Sequence, residues 1–215
     1  MVLPKQLIDG YRAFRDGRLR DEQERYRELG ETGQSPEVMV IGCCDSRVSP
    51  EVIFDAGPGE LFVVRNVANL VPVYQPDSGA HGVSAALEYA VNVLKVKHVV
   101  VLGHAQCGGI RAFIDKIDPL SPGDFIGRWM AMFIKPGEIV EQRERETMQD
   151  FVVRIEKAAI FRSLENLMTF PFVRTRVEHG EMELHGAYFG VAEGSLFVLD
   201  KAAKEFHSVR ETPSS

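Results

Sequence analysis

The segment VMVIGCCDSR, residues 38–47, decides the fold of this chain. Its first four residues form a short apolar run ending at Gly42, which predicts a strand buried on both faces. Apolar runs over 61–64 and 99–102 predict two more such strands, and helical spacing over 80–94 predicts a helix between them. Strands that alternate with helices predict an α/β fold with a mostly parallel central sheet flanked by helices.

The two ends of the chain carry different patterns. Apolar residues at helical spacing predict further helices over 3–29, 110–117 and 151–169. Alternating patterns separated by turn residues predict C-terminal strands over 173–177, 183–191 and 195–200. We therefore predict a single domain over 1–215, with residues 1–30 as an N-terminal helical arm and one or more antiparallel edge strands at the C-terminus.

Composition excludes several classes of protein. The net charge of −6 argues against a nucleic-acid binder, which normally presents a basic face. No stretch of about 18 apolar residues exists, so we expect no membrane span. The first residues lack the apolar core of a secretory signal, so we expect a cytoplasmic protein. Three cysteines in 215 residues do not form a disulfide scaffold, and their neighbours point to a metal or to catalysis.

Two of the predicted strands end in sequences that suit a metal site. The first continues into CCDSR, residues 43–47, and the third into HAQCGG, residues 104–109. Sites in open parallel sheets form beyond the carboxyl ends of strands, and zinc prefers thiolates and imidazoles. His104 and Cys107 have a spacing that lets both reach one ion. Cys43 or Cys44 supplies a third ligand, and spacing does not separate the two. A fourth position then stays open for water.

Asp45 and Arg47 lie beside these ligands and have two interpretations. A structural salt bridge in a surface turn is the simpler one. In the functional one, a forked Arg47 contact keeps Asp45 ionised and turned away from the metal. Asp45 can then accept a hydrogen bond from water on the zinc.

Together these residues resemble the β-class carbonic anhydrases, which carry C-x-D-S-R and H-x-x-C-G. Further segments resemble the plant-type branch: GQSP at 33–36, PGE at 58–60, VRNVAN at 64–69, ALEYA at 86–90 and LHG at 184–186. The resemblance implies that Cys43 is the ligand and Cys44 the variable position. It also implies one Zn²⁺ per subunit and reversible hydration of CO₂ to bicarbonate and a proton, by attack of zinc-bound hydroxide.

The resemblance further implies a substrate pocket. Gln34 would bind bicarbonate, Phe62, Val67 and Tyr89 would form an apolar surface for CO₂, and the Gly108 N–H would position the substrate. On sequence alone the three apolar residues are ordinary core positions. Family members build this pocket at a dimer interface. We therefore expect a homo-oligomer, a dimer or a dimer of dimers, with the helical arm packed on the partner subunit.

Position 40 distinguishes two kinds of family member. Members that close the zinc site with the aspartate, under bicarbonate control, carry Trp three residues before the first zinc cysteine. Val40 occupies that position here. The resemblance therefore implies an open site, with Asp45 on Arg47 and not on the metal.

Other roles stay open at the level of sequence. His81 is a candidate proton shuttle, His185 belongs to a family motif that implies structure, and we expect His98, His179 and His207 to be surface residues. Some members of the family hydrolyse COS or CS₂ with the same ligands. A rival of another class is a redox-sensing or zinc protein that uses Cys43, Cys44 and Cys107 without catalysis.

Overall fold

The computed structural model describes residues 3–77, 79–117, 119–134 and 140–209. The helices are α1 (Lys5–Asp16), α2 (Arg18–Asp21), α3 (Gln23–Thr32), α4 (Pro50–Ile53), α5 (Gly82–Glu88), α6 (Gly108–Ile114), α7 (Phe125–Ala131), α8 (Met148–Leu167) and α9 (Pro171–Glu178). The strands are β1 (Val38–Cys43), β2 (Leu61–Asn66), β3 (His98–His104), β4 (Glu183–Gly190), β5 (Ser195–Asp200) and β6 (Glu205–Ser208). Within these ranges, no helix is long and apolar enough to cross a membrane.

The strands form one sheet in the order β2-β1-β3-β4-β5-β6. The four strands β2, β1, β3 and β4 are parallel, and β5 and β6 add antiparallel pairs at one edge. Helices connect the parallel strands, as crossovers between parallel strands require. The structure confirms the predicted α/β fold with a mostly parallel sheet and antiparallel C-terminal strands.

The main core lies between the sheet and α8. Met39, Ile41 and Val101 project from one face of the sheet and are fully buried with Ile160 and Leu167 of α8. A Cβ added at Gly103 would lie 2.7 Å from Ile160 Cδ1, so glycine is what lets α8 approach β3 this closely. This close packing fixes the carboxyl end of β3, where the candidate ligands begin.

Two sequence predictions need correction. The strand predicted over 173–177 is wrong, because these residues belong to α9. Pro171 begins that helix at a position where proline is favoured, and Val173 and Val177 are four residues apart on its apolar face. The helix predicted over 3–29 is instead three helices, interrupted at Gly17 and Glu22.

The arm formed by α1, α2 and α3 contributes nothing to the buried core, since none of its residues is buried. Leu3 and, on α1, Leu7 and Tyr11 are more than half exposed. Phe14 and Tyr26 hold the arm's own turn together through an edge-to-face ring contact of 5.9 Å. The apolar side of α1 therefore lacks a partner within the described chain.

Candidate metal centre

Cys43, His104 and Cys107 converge at the carboxyl edge of the sheet. Cys43 is the last residue of β1, His104 the last of β3, and Cys107 lies directly before α6. β1 and β3 are hydrogen-bonded neighbours with Gly42 opposite Leu102, which brings the two strand ends together. The potential ligand atoms all lie within 4.8 Å of one another, and all three residues are buried. The strand register therefore assembles the cluster that the sequence indicated.

The structure distinguishes the two adjacent cysteines. The Cys43 thiol lies in the cluster, whereas Cys44 is exposed. Successive side chains of a strand point to opposite sides, so only one of two adjacent cysteines at the end of β1 can face His104. Residue spacing allowed either Cys43 or Cys44 as the third ligand, and the structure favours Cys43.

The orientation of His104 suits a metal ligand. Its Nδ1 lies 2.9 Å from the carbonyl oxygen of Ala105, so Nδ1 carries the proton and donates it to that oxygen. Nε2 is buried and has no hydrogen-bond partner among the described residues. An unpaired buried acceptor costs about 1–3 kcal/mol. Two thiols with a buried imidazole nitrogen are a donor set that fits zinc.

The two thiols of the cluster share their protons unequally. Hydrogen bonding with Cys107, aided by the nearby His104 ring, lowers the pKa of Cys43 despite its burial. The resulting thiolate, together with burial, raises the pKa of Cys107. Burial lowers the pKa of His104, but the adjacent Cys43 thiolate and the bond to Ala105 outweigh it, so the net shift is upward. A thiolate, the form that binds metal, is therefore already favoured at Cys43.

Asp45 is held by Arg47 next to the cluster. Arg47 Nε donates to Asp45 Oδ1 at 2.9 Å, Arg47 Nη2 to Oδ2 at 2.7 Å, and the Arg47 backbone N–H to Oδ1 at 3.0 Å. These bonds hold the pKa of Asp45 well below its usual range. Arg47 Nη2 also donates to the carbonyl of Gln106 at 3.0 Å, which ties the first motif to the second. The carboxylate is therefore ionised and fixed in direction.

Arg65 is a contributor that the sequence analysis did not identify. From β2 it donates to the carbonyl oxygens of Cys43, at 2.8 Å, and Asp45, at 2.6 Å. Both acceptors are main-chain atoms of the loop that carries the first motif, so Arg65 fixes the course of that loop. The available signal was a cation next to the apolar run of β2, but its partners follow only from strand pairing.

Glu156 is a second contributor that was missed. It is 2% exposed in the middle of α8. One carboxylate oxygen accepts the backbone N–H of Cys107 at 2.9 Å, and the other accepts the Tyr188 hydroxyl at 2.7 Å. Burial raises the pKa of Glu156. The sequence signal was an acidic residue on the apolar stripe of a helix, between Ile155 and Ala159, where a charged side chain needs a specific partner.

The predicted pocket residues are only partly assembled in one chain. Val67 packs against the buried apolar cluster that contains Cys43 and Cys107, and Gly108 begins α6 directly after the last ligand. Phe62 and Tyr89 contact each other, with ring centroids 5.9 Å apart. Phe62 of β2 lies opposite Met39 of β1. Because Met39 is four residues before Cys43, Phe62 is separated from Cys43 by about 13 Å along the strand direction.

Gln34 is also separate from the cluster. It is exposed in the loop after α3, four residues before the amino end of β1, whereas Cys43 ends that strand. The chain thus brings together the metal cluster, Asp45, Arg47, Val67 and Gly108. It leaves Gln34, Phe62 and Tyr89 elsewhere on its surface.

An apolar cavity of about 700 Å³ opens next to Cys44, the residue that follows the ligand Cys43. Its lining includes Cys44, Val67 and Trp129, whose indole N–H donates to the Val67 carbonyl at 2.7 Å. His81 lines the same cavity, and its Nε2 lies 2.7 Å from Asp77 Oδ1. The candidate shuttle residue His81 therefore shares a cavity with Cys44 and Val67, and its ring is paired with a carboxylate.

Comparison with known proteins gives the family. A family model described as carbonic anhydrase matches residues 38–196. β carbonic anhydrase 5, a chloroplastic protein of Arabidopsis thaliana, is 37% identical over 194 residues, which are 89% of this chain and 64% of that protein. The chain belongs to the β-class carbonic anhydrases.

This β-carbonic anhydrase spans slightly less than two thirds of the Arabidopsis relative. A carbonic anhydrase of Pseudomonas aeruginosa is 34% identical over 209 residues, 97% of this chain and 93% of that protein. The structure of the β-carbonic anhydrase CcaA has a TM-score of 0.86 at 27% identity, covering 98% of this chain and 92% of that one. One of two tetrameric β-carbonic anhydrases of Sordaria macrospora has a TM-score of 0.73 at 26% identity, covering 90% and 95%. These matches confirm the family and the fold.

Proposed function

We propose that this β-carbonic anhydrase hydrates CO₂ reversibly to bicarbonate and a proton, with one Zn²⁺ per chain held by Cys43, His104 and Cys107. One observation carries the proposal: the three buried side chains lie within 4.8 Å of one another, and the Nε2 of His104 is buried without a partner among the described residues. The family supports the reaction, and the donor set supports the metal.

Zinc bound there would act as a Lewis acid that lowers the pKa of a water molecule from about 15.7 towards about 7. The thiolates of Cys43 and Cys107 together match the double charge of the ion, which weakens this effect relative to a site with three histidines. Neighbouring groups therefore have to assist the loss of the proton, and Asp45 with Arg47 is the nearest such pair.

Asp45 has one free position for that task. A carboxylate offers about four lone-pair directions. Arg47 uses two of them on Oδ1 and one on Oδ2. The remaining direction, on Oδ2, accepts a hydrogen bond from the reacting water and orients it towards CO₂. Because its pKa is held low, Asp45 stays ionised and orients the water without keeping its proton.

The same contacts support a site whose fourth position stays open to water. Both oxygens of Asp45 are bound by Arg47, and Asp45 is not among the residues of the metal cluster. Val40, in place of the Trp of the regulated members, supports the same proposal. Asp45 would have to break two guanidinium bonds before it could become a fourth ligand.

We propose that a second chain completes the pocket. Gln34, Phe62 and Tyr89 lie away from the cluster of their own chain, and the apolar side of α1 is exposed. A partner that covers α1 would bury Leu7 and Tyr11 and would carry its own pocket residues to the interface. The Sordaria relatives, which are tetrameric, support assembly of this kind.

Zinc content and stopped-flow CO₂ hydration of two adjacent cysteine variants test the proposed function. Cys43→Ala removes a buried ligand and should abolish both bound zinc and hydration. Cys44→Ala changes the exposed neighbour and should keep one zinc per chain with the wild-type rate. Full hydration by a metal-free Cys43→Ala protein would contradict the proposal, as would loss of zinc in Cys44→Ala alone.

Assays on the wild type and the two cysteine variants also determine the substrate range. They test the alternative that the protein is a redox sensor without catalytic activity. We expect turnover of CO₂, and side-by-side assays with COS and CS₂ show whether either is used in its place. A redox sensor would show a reversible change at Cys43 or Cys107 without hydration. The Asp45–Arg47 pair supports the enzyme, because a sensor has no use for an oriented carboxylate.

We also propose that the protein works in the cytoplasm. All three cysteines are free, and the cytoplasm keeps thiols reduced. Fractionation of cells that express the complete protein tests this location directly, and recovery in an oxidising compartment would contradict it.

A further inference from the structure

A second group of metal-ligating side chains lies at the opposite end of the sheet. His98 begins β3, and Glu183 begins β4 with His185 two residues later. The strands are parallel, with His98 opposite Glu183 and Val100 opposite His185. Side chains two apart on a strand share a face, so all three project from the same face of the sheet. No motif in the sequence links His98 with His185, and only the strand register brings them together.

The spacing of the two imidazoles matches the needs of a metal ion. His98 Nδ1 and His185 Nε2 are 3.2 Å apart. In a tetrahedral zinc site with Zn–N distances of about 2.0–2.1 Å, two ligand nitrogens lie about 3.3 Å apart. Glu183 Oε2 is 3.9 Å from His185 Nε2 and needs a small rotation to reach the same point. All the potential ligand atoms lie within 4.8 Å of one another.

We propose that His98, Glu183 and His185 form a second divalent-cation site, suited to zinc or to a similar transition metal. Two imidazoles and one carboxylate are a ligand set that zinc uses with water in the fourth position. Strand pairing fixes the backbone of the two half-buried histidines. The exposed Glu183 would bind the ion from its solvent-facing side.

The surrounding charges act in opposite directions. Burial, followed by the nearby charges of Lys201 and His98, lowers the pKa of His185. Glu183 attracts a cation, whereas the ammonium of Lys201 repels it. Glu37 also lies near His98, but its carboxylate is paired with Lys97. Removing the charge of Lys201 should therefore strengthen binding.

This site is separate from the proposed catalytic zinc. β3 begins at His98 and ends at His104, and its seven residues span about 20 Å. Occupation of one site therefore needs no ligand of the other, and each can be removed by substitution without touching the other's ligands.

Zinc titration of the holoprotein by calorimetry tests the second site. The zinc-loaded protein should take up one further ion per chain. His185→Ala should weaken this uptake at least tenfold, and Glu183→Gln should weaken it less. Lys201→Gln should tighten it severalfold, an effect that purely structural histidines would not show. His179→Ala, which changes an exposed histidine outside the group, should leave the titration unchanged.

A cysteine variant separates this inference from the proposed function. Cys43→Ala should lose the first ion and still bind the second. The inference is overturned if the wild-type holoprotein binds no further ion, or if His185→Ala binds it as tightly as wild type. Loss of the second ion in His185→Ala with retention of CO₂ hydration would establish that the two sites are independent.

Discussion

Arg47→Lys is the substitution that most sharply separates the functional from the structural role of the Asp45–Arg47 pair. Lysine keeps the positive charge but is a single point donor and cannot hold both carboxylate oxygens. The substitution therefore removes the forked contacts of 2.9 and 2.7 Å and the contact of 3.0 Å with the Gln106 carbonyl. Asp45 stays charged but keeps only the backbone N–H bond to Oδ1, so its second oxygen is no longer held in direction.

The expected magnitudes differ for stability and for activity. The Arg47 side chain is 44% exposed, so solvent screens its ion pair, which adds little to stability. One oriented hydrogen bond to a reacting group is worth about 2.7–4 kcal/mol, or 10²–10³ in rate. We expect Arg47→Lys to unfold as wild type does, to keep its zinc and to lose about 100-fold in kcat.

Stopped-flow CO₂ hydration, zinc content and urea unfolding are measured on the same preparation. Arg111→Lys is the matched control, because Arg111 of α6 makes an exposed ion pair of 2.7 Å with Asp115, the residue that follows the helix. It should leave kcat unchanged. If Arg47→Lys keeps kcat within about twofold of the wild type, where a 100-fold loss is expected, the orienting role of Asp45 is refuted. If it instead loses zinc or unfolds, the pair is structural.

Three further predictions concern the framework of the site. Gly103→Ala places a methyl group against a buried isoleucine of α8 at 2.7 Å and should lower the free energy of unfolding by about 1–3 kcal/mol, whereas Gly10→Ala, with no neighbour within 4 Å, should not lower it. Glu156→Ala leaves two buried donors without an acceptor and should cost about 2–6 kcal/mol in urea unfolding, whereas Glu156→Gln, which can still bond both partners, should cost much less. An arginine partner lowers the pKa of Glu146 to about 2, so the loss of thermal stability in Glu146→Gln should be full at pH 7 and shrink as pH falls below about 4.5; a loss that is constant with pH contradicts this.

Local sequence patterns predicted the fold correctly wherever a pattern was compatible with only one kind of secondary structure. The runs at 38–41 and 99–102 are too short for helices and too apolar for a surface, so buried parallel strands are their only common structure. The strand prediction over 173–177 failed because Val173, Thr175 and Val177 alternate with two arginines, as they would in a half-buried strand. The segment is helical because Pro171 favours a helix start and the helix buries Val173 completely in the core.

The candidate site likewise contains some residues that the sequence could predict and others that it could not. The cluster of Cys43, His104 and Cys107 was predictable, because neighbouring parallel strands end at one edge. Arg65 and Glu156 were not, since each acts through main-chain atoms of a segment remote in sequence. Residue type shows that such a side chain needs a partner, but only the packing of α8 and β2 shows which one.

A crystal structure of the protein with anomalous scattering recorded at the zinc edge would locate the metal and its ligands. We expect one strong peak bonded to Cys43 Sγ, Cys107 Sγ and His104 Nε2, with Asp45 still paired with Arg47. The weaker site at His98 and His185 should fill only when zinc is added. A strong peak elsewhere would rule out the proposed ligands, and an Asp45 oxygen within about 2.2 Å of the ion would rule out the open site.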